Sequence, residues 1–240
     1  GIFLGPNASD ATTAPTAITS VLTGVAAGAT AANLIVENNN VVTAARAVSI
    51  NGSAATVATG LQVKNNQIGN PTAGNADQVT AIGITVNGAT GPVISGNLVW
   101  VEGYVRSSAS THAINVGVNS VNTTGAVIEK NRVNRVKQND LQSWSAFGVN
   151  LGGGSNHVVR NNFVSGVIND QTGGTGAFGT TFGAYGIRVA SGTGHQVYHN
   201  SVNLYGAMGG VTSTNLTAAF MVVATTQTGV DARNNIFVNN

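Results

Sequence analysis

The chain of 240 residues contains no cysteine, and only 8% of it is charged, with a formal net charge of +2 at neutral pH. Disulfides and thiolate metal sites are therefore excluded, and so few charges without a basic run exclude a nucleic-acid partner. Ordinary soluble domains are about a quarter charged, so the exterior here must be largely hydroxyl and amide, which fits an extracellular or cell-surface protein.

From the N-terminus, residues 1–33 are the least patterned stretch and read as an N-terminal segment or a degenerate first coil. Gly1-Ile2-Phe3-Leu4-Gly5-Pro6 has the form of a short strand closed by a turn. Residues 11–36 form an uncharged run, but Pro15, interspersed Thr and Gly, and direct continuation into the repeat below favour a coil over a membrane span.

Residues 34–240 repeat one unit: an apolar residue, two free positions, Asn, one free position, and a second apolar residue. The Asn is Asn39, Asn66, Asn97, Asn131, Asn162, Asn200 and Asn235. Three residues before each stand Val36, Val63, Ile94, Ile128, Val159, Val197 and Ala232. Two residues after stand Val41, Ile68, Val99, Val133, Val164, Val202 and Phe237. The interval varies from under thirty to nearly forty residues, as in a solenoid whose coils share a corner and differ in loop length.

Ahead of each Asn unit runs a period-two strand led by Ala: Ala81-Ile82-Gly83-Ile84-Thr85-Val86, then the stretches from Ala113, Ala146, Ala184 and Ala219, with a shorter form at Ala47-Val48-Ser49-Ile50. Each coil thus reads as strand, turn, short strand, Asn corner, third short strand and variable loop, for about seven coils. No coil of this kind buries its apolar face alone, and stacking at roughly 4.8 Å sets like residues on like. A row of inward Asn is then satisfied by each amide donating to the next carbonyl. Alignment on the leading Ala also predicts an inward stack of Phe147, Tyr185 and Phe220 that continues Ile82 and Ile114.

These features resemble the right-handed parallel β-helix family, the fold of pectate lyases, polygalacturonases, phage tailspikes and many bacterial surface proteins. The resemblance covers about residues 34–240. It implies an all-β, right-handed, single-stranded parallel β-helix with its Asn ladder between the second and third sheets and the Ala-led strands in the first. It implies no particular activity, because the family hosts many.

By that resemblance, a lyase would carry Ca²⁺-binding carboxylates and a proton-abstracting Arg or Lys on the outward positions of the first sheet. Those positions here are Gly83 and Thr85, Asn115 and Gly117, Gly148 and Asn150, Gly186 and Arg188, and Met221 and Val223, with no acid among them. For a hydrolase, Glu102, Asp140 and Asp170 fall one per coil in successive loops as an acid–base set. Trp100, Tyr104, Trp144 and Tyr205 lie in or beside the same loops and offer faces to sugar rings. Isolated acids in Gly- and Asn-rich loops are more simply solvated, so no catalytic residue is assigned. His157 and His195 occupy equivalent turn positions, and the four His follow no metal-ligand spacing.

The leading expectation is a non-catalytic structural solenoid of an exported bacterial surface protein: an adhesin, a stalk or a self-associating filament, without metal or cofactor. Its partners would be copies of itself end to end or neighbouring coils of a longer chain, since an open last coil leaves unpaired backbone groups. The alternative is a carbohydrate-active β-helix that binds or cleaves a glycan.

Overall fold

In the computed structural model, residues 32–52, 57–103, 110–117, 123–139, 144–170, 183–206, 208, 216–223 and 227–240 are described. They form a parallel β-solenoid of three long sheets, and they include no helix. The first sheet stacks Ala44–Asn51, Val79–Asn87, Thr111–Val116, Ala146–Leu151, Gly183–Val189 and Leu216–Val222. The second stacks seven short strands from Ile35–Glu37 to Asp231–Arg233, and the third runs from Asn40–Val41 to Ile236–Asn239. A further short strand, Val167–Asn169, extends the third sheet beside Arg132–Gln138.

The register between coils follows the Asn units. Val36, Val63, Ile94, Ile128, Val159, Val197 and Ala232 form one file in the second sheet. Val41, Ile68, Val99, Val133, Val164, Val202 and Phe237 form another in the third. The first sheet contributes Val48, Ile84, Ile114, Val149, Ile187 and Phe220. Branched side chains suit this packing on a pleated surface, and the three files fill the core. Every member is buried except those of the last coil, Ala232, Phe237 and Phe220.

Two residues per coil turn the chain in the left-handed region. One precedes the ladder Asn: Asn38, Asn65, Gly96, Lys130, Asn161, His199 and Asn234, all with φ between 54° and 66°. The other precedes the second sheet: Asn33, Gly60, Gly91, Gly125, Asn156, Gly194 and Gly229. Gly suits both because it lacks the Cβ that crowds the following carbonyl, and Asn because its short amide bonds locally and offsets that crowding. At Gly96 a Cβ would also lie 2.5 Å from Asn65 Oδ1. Just ahead of the second column, Thr59, Thr90, Thr124, Ser155, Thr193 and Thr228 stand in register as a file of hydroxyl residues.

The solenoid has about five turns, not the seven expected from the Asn units. The units at the two ends lack a full set of neighbours. Beside Ile35–Val41 no first-sheet strand stands among the described residues, and the last coil is covered on one side only. Five ladder residues, Asn66, Asn97, Asn131, Asn162 and Asn200, are buried, while Asn39 and Asn235 are half-buried.

The aromatic stack also differs from expectation. Its file is Ile82, His112, Phe147 and Tyr185, and it points away from the core. The cause lies one residue later, where Gly83, Gly148 and Gly186, expected on the outward face, point inward instead. A Cβ on them would fall 2.8, 2.5 and 2.3 Å from the γ-methyls of Val99, Val164 and Val202. The core accepts only a small residue there, Ala47, Ala113 and Ala219 in three coils and Gly in the other three, which turns the preceding side chain outward. Alignment on a leading Ala therefore set the wrong register for the coils of Ala113 and Ala219. Phe220 lies beside Ile187 instead and stacks on Phe237 at 5.3 Å.

Candidate functional site

The Asn ladder is the most regular polar feature. Asn131 donates its backbone N–H and one Nδ2 hydrogen to Asn162 Oδ1, both at 3.0 Å, and Nδ2 also donates to Ile94 O at 2.9 Å. The same step runs from Asn39 through Asn66, Asn97, Asn131, Asn162 and Asn200 to Asn235. An inner Asn thus uses both amide hydrogens and both carbonyl lone pairs, in bonds that link three coils. The ladder supports the corner and leaves no reactive group free.

On the outer face of the first sheet, the residues around Arg188 are tied to one another. Ser49, Thr85, Asn115, Asn150, Arg188 and Met221 form one file. Asn150 Nδ2 donates to Asn115 Oδ1 at 2.9 Å, and Arg188 donates to Asn150 Oδ1 at 3.1 Å. The Arg188 guanidinium lies 5.1 Å from the Phe147 ring centre and 5.9 Å from that of Tyr185, as a cation over π faces. The rings themselves stack, His112 on Phe147 at 4.6 Å and Phe147 on Tyr185 at 5.4 Å. Burial lowers the pKa of Arg188 and raises that of Tyr185. Burial, with Arg188 and Arg46 nearby, pushes His112 down to about 3. This face is a packed cation–aromatic–amide file without a carboxylate.

The structure places the acids of the hydrolase reading on the third sheet. Glu102 lies in register with Lys137 and pairs with Arg135 at 3.4 Å. Gly74 N–H also donates to its Oε2 at 3.2 Å, and Arg135 donates to Asn70 O and Pro71 O. One coil further on, Asp170 pairs with Lys137 at 3.0 Å. Glu102 and Asp170 thus share one outward face, but each is held against a cation. That is an ion-pair network joining three coils, unlike two carboxyl groups left open around a water and a glycosidic oxygen. Asp140 lies outside the described residues.

Among the aromatic residues, Trp100 sits half-buried beside Arg135, where a bulge shifts the register. Trp144 precedes the first-sheet strand Ala146–Leu151, and its carbonyl accepts from Asn169 Nδ2 at 2.7 Å. Tyr205 follows the strand Ser201–Leu204 and is exposed. The three occupy different coils and build no common platform, and Tyr104 lies outside the described residues.

His157 and His195 stack on each other in successive coils, as their equivalent positions predict. Both are fully buried, which makes them part of the lining of the coil and not exposed turn residues. The signal in the sequence was the recurrence of Gly-Ser-Asn-His at 154–157 and Gly-Thr-Gly-His at 192–195. Comparison with protein-family models, curated proteins and solved structures finds no match to this chain.

Proposed function

We propose that the chain is a non-catalytic structural solenoid of an exported bacterial surface protein, serving as a stalk, an adhesin shaft or a unit that stacks on further coils. The observation that carries this reading is the commitment of polar side chains to the coils next door. Asn, Arg188, Glu102 and Asp170 each spend their bonding capacity between rungs, which stiffens a rod and leaves little for turnover. The low charge favours an exported setting. The edge of the last coil, with Ile236 64% exposed and Phe237 38%, suits a further parallel coil from another copy or from a longer chain.

The test is incubation with a panel of polyuronates and neutral glycans, followed by product analysis, beside negative-stain microscopy over a concentration series. The reading predicts rod-shaped particles and no cleavage. Cleavage abolished by Glu102→Gln or Asp170→Asn would overturn it. A glycan-binding role is the second reading, favoured by the placement of Trp100, Glu102, Arg135, Lys137 and Asp170 on one face. Glycan-array binding lost in Trp100→Ala would select it.

A further inference from the structure

The corner ahead of the second sheet is lined by Leu61, Pro92, Ala126, His157, His195 and Val230. Two buried imidazoles in that file need a physical reason. Their rings stack at 4.9 Å between centroids. Gly154 and Gly192 make room for them, since a Cβ would fall 2.9 Å from His157 Nε2 and 2.5 Å from His195 Nε2.

The hydrogen bonds fix the protonation state. Ala126 N–H donates to His157 Nδ1 at 3.1 Å, and His157 N–H donates to His195 Nδ1 at 3.3 Å. On the other edge, Nε2 of each ring donates to a carbonyl four residues back, Gly153 O at 2.9 Å and Ser191 O at 3.1 Å. A backbone N–H can only donate, so both Nδ1 atoms are bare acceptors and both rings are neutral.

We propose that the stacked His157–His195 pair is an acid-operated latch, whose protonation releases the corner joining the coils of Ala126, His157 and His195 while the Asn corner of those coils holds. One proton from solvent on each Nδ1 turns an acceptor into a donor that faces an N–H. The bonds from Ala126 and His157 are then lost, and two buried cations lie face to face. The surrounding charges do not offset this. Glu129, Arg160, Tyr198, Asp231 and Arg233 of the adjoining second-sheet strands point outward, with Glu129 and Arg160 paired at 2.7 Å and Asp231 held by Arg233 and the Tyr198 hydroxyl. Arg188 and Tyr185 lie on the outer side of the first sheet, and Lys130 and His199 are exposed at the far corner.

Burial is the main force that holds His157 neutral down to about pH 4; the Gly153 carbonyl opposes it and the His195 ring reinforces it. Burial lowers His195 in the same direction. An unfolded histidine titrates near 6.5. A folded value below the unfolded one means the latch is at full strength above pH 6.5 and weakens as pH falls toward 4. The opening equilibrium shifts about tenfold per pH unit within that window through His157, and His195 acts in the same direction.

Amide hydrogen exchange on the unmodified chain, corrected for intrinsic rates, is the direct experiment. Protection at Ala126 and His157 should fall at least about 30-fold between pH 6.5 and 4.5, while the Asn131 and Asn162 amides on the ladder corner of the same coils change less than about threefold. The double variant H157Q/H195Q, whose amides accept without titrating, should abolish the differential loss. If that variant does not fold, the exchange data on the natural chain still decide. Protection unchanged at Ala126 and His157 down to pH 4.5, or a loss spread evenly over all coils, would overturn the latch.

Discussion

Each coil turns two corners around the second sheet, one at Asn39 to Asn235 and one at Leu61 to Val230, and they follow different rules. At the first, the same side chain recurs in every coil, because a buried amide needs a carbonyl on one side and a donor on the other. At the second, Leu61, Pro92, Ala126 and Val230 alternate freely with His157 and His195, since an apolar lining asks only for volume. When that corner does turn polar, it does so in two adjacent coils, and Gly154 and Gly192 clear the space. Stacking therefore makes polar residues repeat and leaves apolar ones free to vary.

The contrast can be broken first at the ladder. Asn162→Leu would strand Asn131 N–H, Asn131 Nδ2 and Ile128 O in a buried position. Each such group costs about 1–3 kcal/mol, so a loss of about 4 kcal/mol is expected by chemical denaturation. Asn39→Leu strands no buried donor and should cost under about 1 kcal/mol. The second corner answers to pH instead. With His157 held to about 4 in the fold and near 6.5 unfolded, stability is intact above 6.5 and about 3 kcal/mol lower by pH 4. Thermal melts across that range measure it.

Smaller effects sharpen the comparison. Lys130 holds φ of 55° at the position where other coils place Asn or Gly. Lys130→Gly should stabilise by about 0.5–1 kcal/mol, because a left-handed residue with a Cβ costs roughly 1–2 kcal/mol and Gly gives part of that back as chain entropy. The smallest change belongs to the exposed pairs between coils, such as Glu37 with Lys64 at 3.3 Å. Lys64→Met should shift stability by less than about 0.5 kcal/mol.

What was legible in the sequence follows the same division. The second and third sheets could be read residue by residue, because Asn anchors their register and the flanking Val and Ile stand at fixed distances from it. The first sheet could not, since the gap to the ladder varies and the inward small residue is Ala47, Ala113 or Ala219 in some coils but Gly83, Gly148 or Gly186 in others. That ambiguity hid the outward file of Arg46, Ile82, His112, Phe147, Tyr185 and Ala218. Glu102 and Asp170 were visible as loop acids, but their partners Arg135 and Lys137 lie a coil away and more than thirty positions along the chain. Pairing at that distance depends on a register set by the bulge after Val99, which leaves no mark in composition or period.

The central claim is that neighbouring rungs satisfy one another's asparagines, and a double-mutant cycle measures this directly. Asn131→Ala and Asn162→Ala, alone and together, should show a coupling of about 1 kcal/mol or more, while Asn66→Ala and Asn200→Ala, four rungs apart, should add within about 0.5 kcal/mol. Additivity in both pairs would contradict the ladder.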